Sequence, residues 1–581
     1  MKLPMLSPIA TTRELTNVFG GYNHNLRISD GEFFDMQNLT SSDYPVISPR
    51  GKRGVYASPG AANGLVAKDA LCYVDGGDFI INEYRVAMGL SEAAEDNPKT
   101  LISMGAYVII MPDKKYINTA DLSDYGAIEA TVSTTAAVTF ELCKVDGASY
   151  DNIIAQETAP ENPENMDLWI DTSNTPHSLK QYSSNTSMWV AIATTYIKIT
   201  SPGLGIPFSV GDGVTISGVE SEALADLNNT MIVWDRGDNY IVVIGILKEV
   251  TTQEAAITVT RRMPNMDFII ESENRLWGCR YGTDVSGNVV NEIYASKLGD
   301  FKNWNCFMGI STDSYAATVG TDGQFTGAIA HLGYPLFFKE GCVHKVYGNF
   351  PANYQIQTTT CRGVQKGCSK SLAIVNEILY YKARSAVCAY DGSLPVEMSS
   401  ALGDVVYSDA VAGAIGNKYY ICMKDIGGVP HIFVYDTARG MWHREDSAQV
   451  SQFCACRGEL YYIDAADGKI KTMLGSGTVD DTPVKWMAET GVLGLSSPDK
   501  KYISRLDVRM SLELDATVDF YVQYNSMGEW EHLATMMGIS LQSFTVPIRP
   551  RRCDHLKLRI EGEGMAKIYS ICKSMEQGSN V

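Results

Sequence analysis

The chain has 581 residues, of which 45% are hydrophobic and 20% are charged, and its formal net charge is −19. This length predicts about three or four globular domains, and this composition excludes a largely disordered chain. The negative charge excludes a protein that grips nucleic acid through the phosphates, because such a protein needs a basic surface.

The amino terminus contains no continuous apolar stretch. Pro4 and Pro8 interrupt it, and Arg13 and Glu14 follow. No window of the chain reaches the ~18 apolar residues of a membrane helix. We therefore expect neither a secretory signal peptide nor a membrane anchor.

Residues 18–53 predict an arm with at most one short helical turn, around residues 32–38. Pro45 and Pro49 then enforce an extended path into a basic cluster. An arm with little core of its own docks on other structure, either this chain's own sheets or a neighbouring subunit. The basic residues that are candidates for an assembly interface are Arg50, Lys52 and Arg53.

A pattern of two aromatic-rich strands joined by a Gly, Asp or Asn turn recurs along the chain. It appears at 64–84 and 101–122 and returns repeatedly between residues 266 and 468. The later copies lie at 269–280, 335–348, 374–392, 418–443 and 459–473. Successive copies begin roughly 40 residues apart, the period of a β-propeller blade. The length of the repeating part predicts about six or seven blades, with six favoured.

Residues 128–262 are rich in Thr, Ser, Ala and Asn, and we interpret them as an insertion between two blades. Within them, residues 165–192 resemble a small hairpin module of phage tail and fibre proteins, and residues 210–245 predict a small barrel or sandwich. Trp169 and Trp189 either pack across the hairpin sheet or form a platform for a glycan or partner. Core packing is favoured, because both lie on apolar alternating faces.

The pattern changes again after about residue 475. Strict alternation of apolar residues from Leu506 to Leu512 predicts an antiparallel sheet, and later strands complete a carboxy-terminal β-sandwich. Its basic residues either meet an acidic neighbour or are solvated edge charges, and both interpretations stay open. These further candidates for an assembly interface are Arg549, Arg551 and Arg552.

The sequence carries no signature of a catalytic, cofactor or metal site. It contains no GxSxG, no P-loop, no GxGxxG after a strand and no HExxH. Its 13 cysteines lack a repeated spacing. We expect them to be buried or half-buried free thiols, as in a chain that folds in a reducing cytoplasm. We therefore predict no catalytic residue, no cofactor and no metal ligand.

The run ISDGEFFDMQNLTSSDYPVISPRGKR at residues 28–53 resembles the amino-terminal signature of a family of tailed-bacteriophage structural proteins, in which such a segment precedes a propeller. Stretches at 367–399, 433–446 and 547–573 are also similar to that family. The resemblance implies a virion structural protein without enzymatic activity, made in the bacterial host cytoplasm. It further implies a ring subunit in the tail or head-to-tail connector, similar to tail nozzle proteins.

The implied partners are copies of the chain in a ring and other phage tail or connector proteins or fibres. DNA would pass without specific binding, because an acidic lumen repels its phosphates. Two alternative functions stay open. The tryptophan-bearing insert is typical of a receptor- or glycan-binding tail protein, and propeller analogy alone suggests a glycan-cleaving enzyme.

Together these patterns predict an all-β chain: a β-propeller of about six or seven blades with an inserted small β domain and a carboxy-terminal β-sandwich. The expected divisions are an amino-terminal docking arm at 1–54, the first blades at 55–127, the inserted domains at 128–262, the remaining blades at 263–475 and the sandwich at 476–581.

Overall fold

A computed structural model describes residues 11–91, 98–150, 153–174, 178–192, 195–246, 250–284, 286–479, 483–495, 499–538 and 540–577. In these residues the regular structure consists of β-strands and short 3₁₀ turns, so the predicted all-β class is confirmed. The turns are Glu222–Leu227, Pro351–Asn353, Ser369–Ser371 and Ser400–Leu402. Pro4 and Pro8 lie outside the described residues.

The amino-terminal arm contributes short strands to several sheets. They are β1 (Thr11–Thr16), β2 (Gly21–Tyr22), β3 (Glu32–Gln37), β4 (Leu39–Thr40), β5 (Ser48–Pro49) and β6 (Gly54–Ala57). The helical turn predicted at residues 32–38 is wrong, because β3 is an extended strand. A β-bulge between Phe33 and Asp35 lets Phe33 and Met36 both face the core, which imitates a helical spacing in the sequence.

Two four-stranded antiparallel sheets follow the arm. The first contains β7 (Ala62–Ala67), β8 (Leu71–Asp75), β9 (Asp78–Ile81) and β10 (Tyr84–Ala87). The second contains β11 (Thr100–Met104), β12 (Tyr107–Met111), β13 (Lys115–Asn118) and β14 (Tyr125–Ala127). In each sheet the chain runs up and down between neighbouring strands, because connections of two to six residues leave no room for a crossover.

The insert forms two sheets. An eight-stranded sheet contains β15 (Ala130–Ser133), β16 (Val138–Cys143), β21 (Thr195–Thr200), β22 (Gly213–Ser217), β23 (Thr230–Gly237), β24 (Tyr240–Gly245), β25 (Thr251–Gln253) and β26 (Thr258–Arg261). A four-stranded sheet contains β17 (Ile154–Gln156), β18 (Leu168–Asp171), β19 (Ser178–Ser183) and β20 (Met188–Ala191). Both sheets share one apolar core, in which Phe140, Ile170 and Ile241 are fully buried.

Five further sheets repeat the up-and-down order. Their strands are β27 (Phe268–Ser272), β28 (Arg275–Thr283), β29 (Val289–Ala295) and β30 (Tyr315–Thr318); β31 (Gly327–His331), β32 (Tyr334–Lys339), β33 (Cys342–Tyr347) and β34 (Gln355–Thr360); β35 (Ala373–Val375), β36 (Ile378–Lys382), β37 (Val387–Tyr390) and β38 (Val396–Glu397); β39 (Ser408–Ile415), β40 (Lys418–Lys424), β41 (Pro430–Asp436) and β42 (Met441–Arg444); and β43 (Val450–Cys456), β44 (Glu459–Asp464), β45 (Ile470–Thr472) and β46 (Thr478–Val479). In the last sheet β6 of the arm lies between β45 and β46.

The described residues therefore form seven such sheets, whereas the sequence favoured six blades. Some are short: the sheet that begins at β35 spans only residues 373–397, so a division by blade period undercounts them. The first strands lie side by side in the order β7, β11, β27 and β31, and again in the order β35, β39 and β43, with β43 beside β7. Between the two runs, β31 contacts the 3₁₀ turn Ser369–Ser371, just before β35.

The carboxy-terminal strands form two layers with the arm. They are β47 (Lys485–Thr490), β48 (Lys501–Leu512), β49 (Thr517–Tyr524), β50 (Glu531–Met537), β51 (Gln542–Val546), β52 (Leu556–Glu563) and β53 (Ala566–Gln577). One layer has the order β1-β53-β48-β51. The other has the order β47-β52-β49-β50 and continues through β3 and β2 into β42 of the sixth sheet. The alternation predicted from Leu506 to Leu512 is confirmed, because the apolar residues point into the core between the layers.

A buried ionic cluster fixes the end of the arm to the sixth and seventh sheets. The Arg53 guanidinium lies 2.7 Å from Glu445 Oε2 and 2.9 Å from Asp446 Oδ2, and its side chain is only 5% exposed. Arg50 lies 3.2 Å from the same Asp446 oxygen and donates to the side-chain oxygen of Asn38 at 2.9 Å. These charges satisfy one another inside the chain, where an uncompensated charge is costly.

All 13 cysteines are free, and 11 of them are buried while Cys361 and Cys454 are half-buried. The sequence prediction of free thiols is confirmed. Burial raises the pKa of Cys72 and of Cys143 to about 12, which keeps these thiols protonated and unreactive at neutral pH.

We expect Arg53→Ala to lower the free energy of unfolding by about 3–5 kcal/mol, because it removes the nearest cation from the buried Glu445 and the half-buried Asp446 and leaves them only Arg50. Urea unfolding followed by tryptophan fluorescence measures this change. Arg85→Ala is the matched control, since Arg85 pairs with Asp75 and Asp78 but its side chain is 55% exposed. A loss no larger than that of the control contradicts the prediction.

The same cluster gives the fold a defined response to acid. Burial raises the pKa of Asp446, but Arg53 and Arg50 outweigh burial and hold that pKa below its ordinary value of 3.8. Its stabilisation is therefore complete above pH 3.8 and is lost as the pH falls through the folded-state pKa. We expect Asp446→Asn to remove this part of the acid dependence, measured as the difference in unfolding free energy between neutral and acidic buffers. Parallel curves for the two proteins would contradict this.

Candidate functional site

The first strands of the seven sheets contain few charged side chains. In β7, β11, β27, β31, β35, β39 and β43, Glu271 and Asp409 are the only carboxylates, and there is no lysine or arginine. Glu271 accepts a hydrogen bond from the Asn274 backbone amide at 2.9 Å, and Asp409 lies 3.7 Å from the Lys424 ammonium. The two acids belong to the third and sixth sheets, and each of them is engaged by a residue of its own sheet.

The two tryptophans of the insert pack against each other. Their ring centroids lie 5.4 Å apart in an edge-to-face arrangement, and Trp169 is 5% exposed. The Trp169 indole donates to the Gln156 carbonyl at 2.9 Å, while the Lys180 ammonium covers its ring at 4.8 Å. Trp189 is half-buried and also packs on Tyr182. Trp169 therefore packs in the core of the insert, and a platform role for Trp189 stays a prediction.

A buried polar junction holds the insert on the third sheet. The Asn303 side-chain amide donates to Asp212 at 2.9 Å, and its oxygen accepts the Gly213 backbone amide at 2.9 Å. The Arg261 guanidinium pairs with the same Asp212 carboxylate, so every member of this junction is satisfied. This junction could not be predicted from local sequence patterns, because Asp212 and Asn303 lie in separate loops.

The basic residues predicted for assembly fall into two groups. Arg50 and Arg53 are a correction: both are buried and paired within the chain, so neither presents its charge to a neighbouring subunit. Lys52 between them is exposed. At the other end of the chain, the exposed basic residues are Arg549, Arg551 and Arg552.

Arg551 is partly committed to its own sheet. It pairs with Glu531 at 2.7 Å, and its guanidinium lies 5.4 Å from the centre of the Tyr524 ring. Contact of these three arginines with another subunit stays a prediction.

A second basic surface was missed at the sequence level. The outer face of the layer β1-β53-β48-β51 brings together Arg13, Arg505, Asp507 and Arg509, which line a groove of about 530 Å³. The signal was present in β48, because the positions between the buried apolar residues from Leu506 to Leu512 point to the other face. Arg13 could not be placed there from sequence, because it arrives on β1 from the far end of the chain. We call this surface the arginine face.

Among the described residues, no group of three or more His, Cys, Asp or Glu side chains is arranged to hold a metal ion. None of the helical turns described is long or apolar enough to cross a membrane.

No protein-family model and no curated protein matches the chain. Among solved structures, an exo-beta-1,3-galactanase from Phanerochaete chrysosporium aligns at 9% identity over 52% of this chain and 94% of that chain, with a TM-score of 0.21. An acylaminoacyl peptidase from Pyrococcus horikoshii aligns at 12% identity over 50% and 47%, with a TM-score of 0.23. A mutant sialidase from Trypanosoma rangeli aligns at 8% identity over 99% and 97%, with a TM-score of 0.19. Similarity this weak assigns no activity to the chain.

We expect Trp169→Ala to destabilise the insert by about 3–5 kcal/mol, since it empties a buried aromatic site and removes the partner of the Gln156 carbonyl. Trp189→Ala serves as the matched variant and should cost less, because Trp189 is half-buried. Hydrogen exchange of the Leu168–Asp171 strand measures both. Equal protection in Trp169→Ala and the unchanged chain would contradict a core role.

Proposed function

We propose that the seven sheets form one closed seven-bladed propeller, and that the chain is a structural subunit of a bacteriophage particle. Closure is supported by the order of the first strands and by β6, which joins the first part of the chain to the last sheet. A propeller completed by its own amino-terminal segment is a rigid body, since it leaves no open sheet edge between first and last blades.

The observation that carries a structural role is the distribution of charge. An enzyme of this fold class needs a cluster of ionisable groups on the strands nearest the axis. Those strands hold only Glu271 and Asp409, each engaged with a residue of its own sheet. Exposed charges lie outside these strands, as in the arginine face. Such a distribution suits binding to neighbouring proteins rather than chemistry.

The phage context rests on the sequence resemblance of residues 28–53. This segment includes β3, which pairs with β47 of the carboxy-terminal part, and the buried Arg53, which pairs with Glu445 after the sixth sheet. These contacts give the unusual sequence of the segment a structural reason. We propose a ring in the tail or head-to-tail connector, with further tail proteins or fibres as neighbours. The net charge of −19 is compatible with DNA moving past the ring without binding to it.

The test is self-association of the purified full chain, followed by light scattering and negative-stain electron microscopy. We expect closed rings, and we expect no hydrolysis of chromogenic glycosides. Antibodies against the chain should label the tail or connector of the tailed phage particles whose genome encodes the chain. A monomer at all accessible concentrations, or turnover of a glycoside abolished by Glu271→Gln, would overturn the proposal.

A further inference from the structure

The arginine face is prepared for an anionic partner. The Arg505 Nε nitrogen lies 2.8 Å from Asp507 Oδ1, and the Arg509 Nε nitrogen donates to the Ser543 hydroxyl at 3.0 Å. On the neighbouring strand the Arg13 Nε nitrogen contacts the Cys572 sulfur at 3.0 Å. Holding each guanidinium through Nε fixes its orientation and reduces the entropy that binding would cost.

This surface is both exposed and unbalanced in charge. The side chains of Arg13 and Arg505 are 68% and 60% exposed, and three guanidinium groups surround a single carboxylate, that of Asp507. Hydroxyl groups of Ser543, Thr545 and Ser570 complete the groove. Guanidinium groups bind carboxylates through paired hydrogen bonds, so an acidic peptide segment is the matching ligand class.

The chain itself contains such a segment. The loop at residues 157–167, which we call the acidic loop, has the sequence ETAPENPENMD with four acidic and no basic residues. Glu157, Glu161 and Glu164 are exposed. Asp167 accepts the backbone amide of Glu164 at 2.7 Å, which gives the loop a defined turn. Pro160 and Pro163 further restrict its backbone and lower the cost of ordering it on a partner.

The two surfaces are placed for contact between different copies. The insert leaves the chain between the second and third sheets. The carboxy-terminal layer β47-β52-β49-β50 is continuous with the sixth sheet through β2 and β3, and the layer with the arginine face packs on it. If the seven sheets of one copy close into a propeller, these two positions lie about half a turn apart around its axis. Each copy then presents the acidic loop on one side and the arginine face on the other. Contacts between two different patches run head to tail and generate rings when the rotation closes.

We propose that the acidic loop of one copy docks on the arginine face of the next copy. The proposal rests on the ring function above and specifies its interface. Glu161 and Glu164 would approach Arg505 and Arg509, and Arg13 would close one side of the groove. Because the attraction is between charges near the surface, the contact weakens as the salt concentration rises.

The experiment is a charge swap in the full-length chain, with assembly measured by sedimentation velocity at low and high salt. R505E/R509E and E161K/E164K should each weaken assembly at least about tenfold. A chain that carries all four substitutions restores opposite charges across the contact and should recover most of the affinity. K366E/R457E is the matched control, because these exposed basic residues lie in the loop before the fifth sheet and in a turn of the seventh; it should assemble like the unchanged chain.

The outcomes separate the two proposals. If the unchanged chain never associates, both the ring and its interface are wrong. If it associates but neither reversal weakens it, or if the four-substitution chain fails to recover, the ring survives and this interface is wrong. Equal unfolding temperatures of all variants exclude misfolding as the cause; where one variant unfolds early, R505Q/R509Q and E161Q/E164Q replace the reversals and should weaken assembly less.

Discussion

The fold depends on the amino-terminal arm being held between two distant parts of the chain. Strand β6 completes the seventh sheet, while β2 and β3 join the sixth sheet to the carboxy-terminal layers. At Gly21 the arm approaches so closely that a Cβ would lie 2.5 Å from the Trp442 carbonyl oxygen, and its φ of +84° favours glycine. The charges of Arg50 and Arg53 complete this attachment, because they and the buried carboxylates are tolerable only together.

The attachment of the arm makes one continuous body from pieces that the sequence separates. The layer β47-β52-β49-β50 cannot move away from the sixth sheet without breaking backbone pairing along β2 or β3. The insert is held on the third sheet by the Asn303–Asp212 contact. Both accessory parts therefore hold their surfaces at set positions, which is what a subunit in an ordered assembly requires and what a tethered binding module lacks.

Local patterns predicted the strands well, and long-range placement could not be predicted. The alternation in β48 and the turn-bounded strands of the insert follow from side-chain period alone. Two predictions for the arm were wrong for physical reasons. The bulge beside Phe33 gives the strand the apolar spacing of a helical turn. The burial of the basic residues depends on partners such as Glu445, which are distant in the sequence. The arginine face combines β48 with β1, whose pairing through β53 no local pattern reveals.

Buried ionisable groups with shifted pKa values often mark active sites. Here two such lysines donate structural hydrogen bonds instead. Burial lowers the pKa of Lys339, yet its ammonium donates to Asn291 at 3.0 Å and to the Thr321 carbonyl at 2.7 Å, which ties the fourth sheet to the third. Burial likewise lowers the pKa of Lys382, whose ammonium donates to Gln365 at 3.0 Å and to the Ala383 carbonyl. A lysine whose protons are committed to carbonyl oxygens is poorly suited to act as a base or nucleophile. Lys339 thus holds two neighbouring sheets together, and Lys382 fixes the loop that precedes its own sheet.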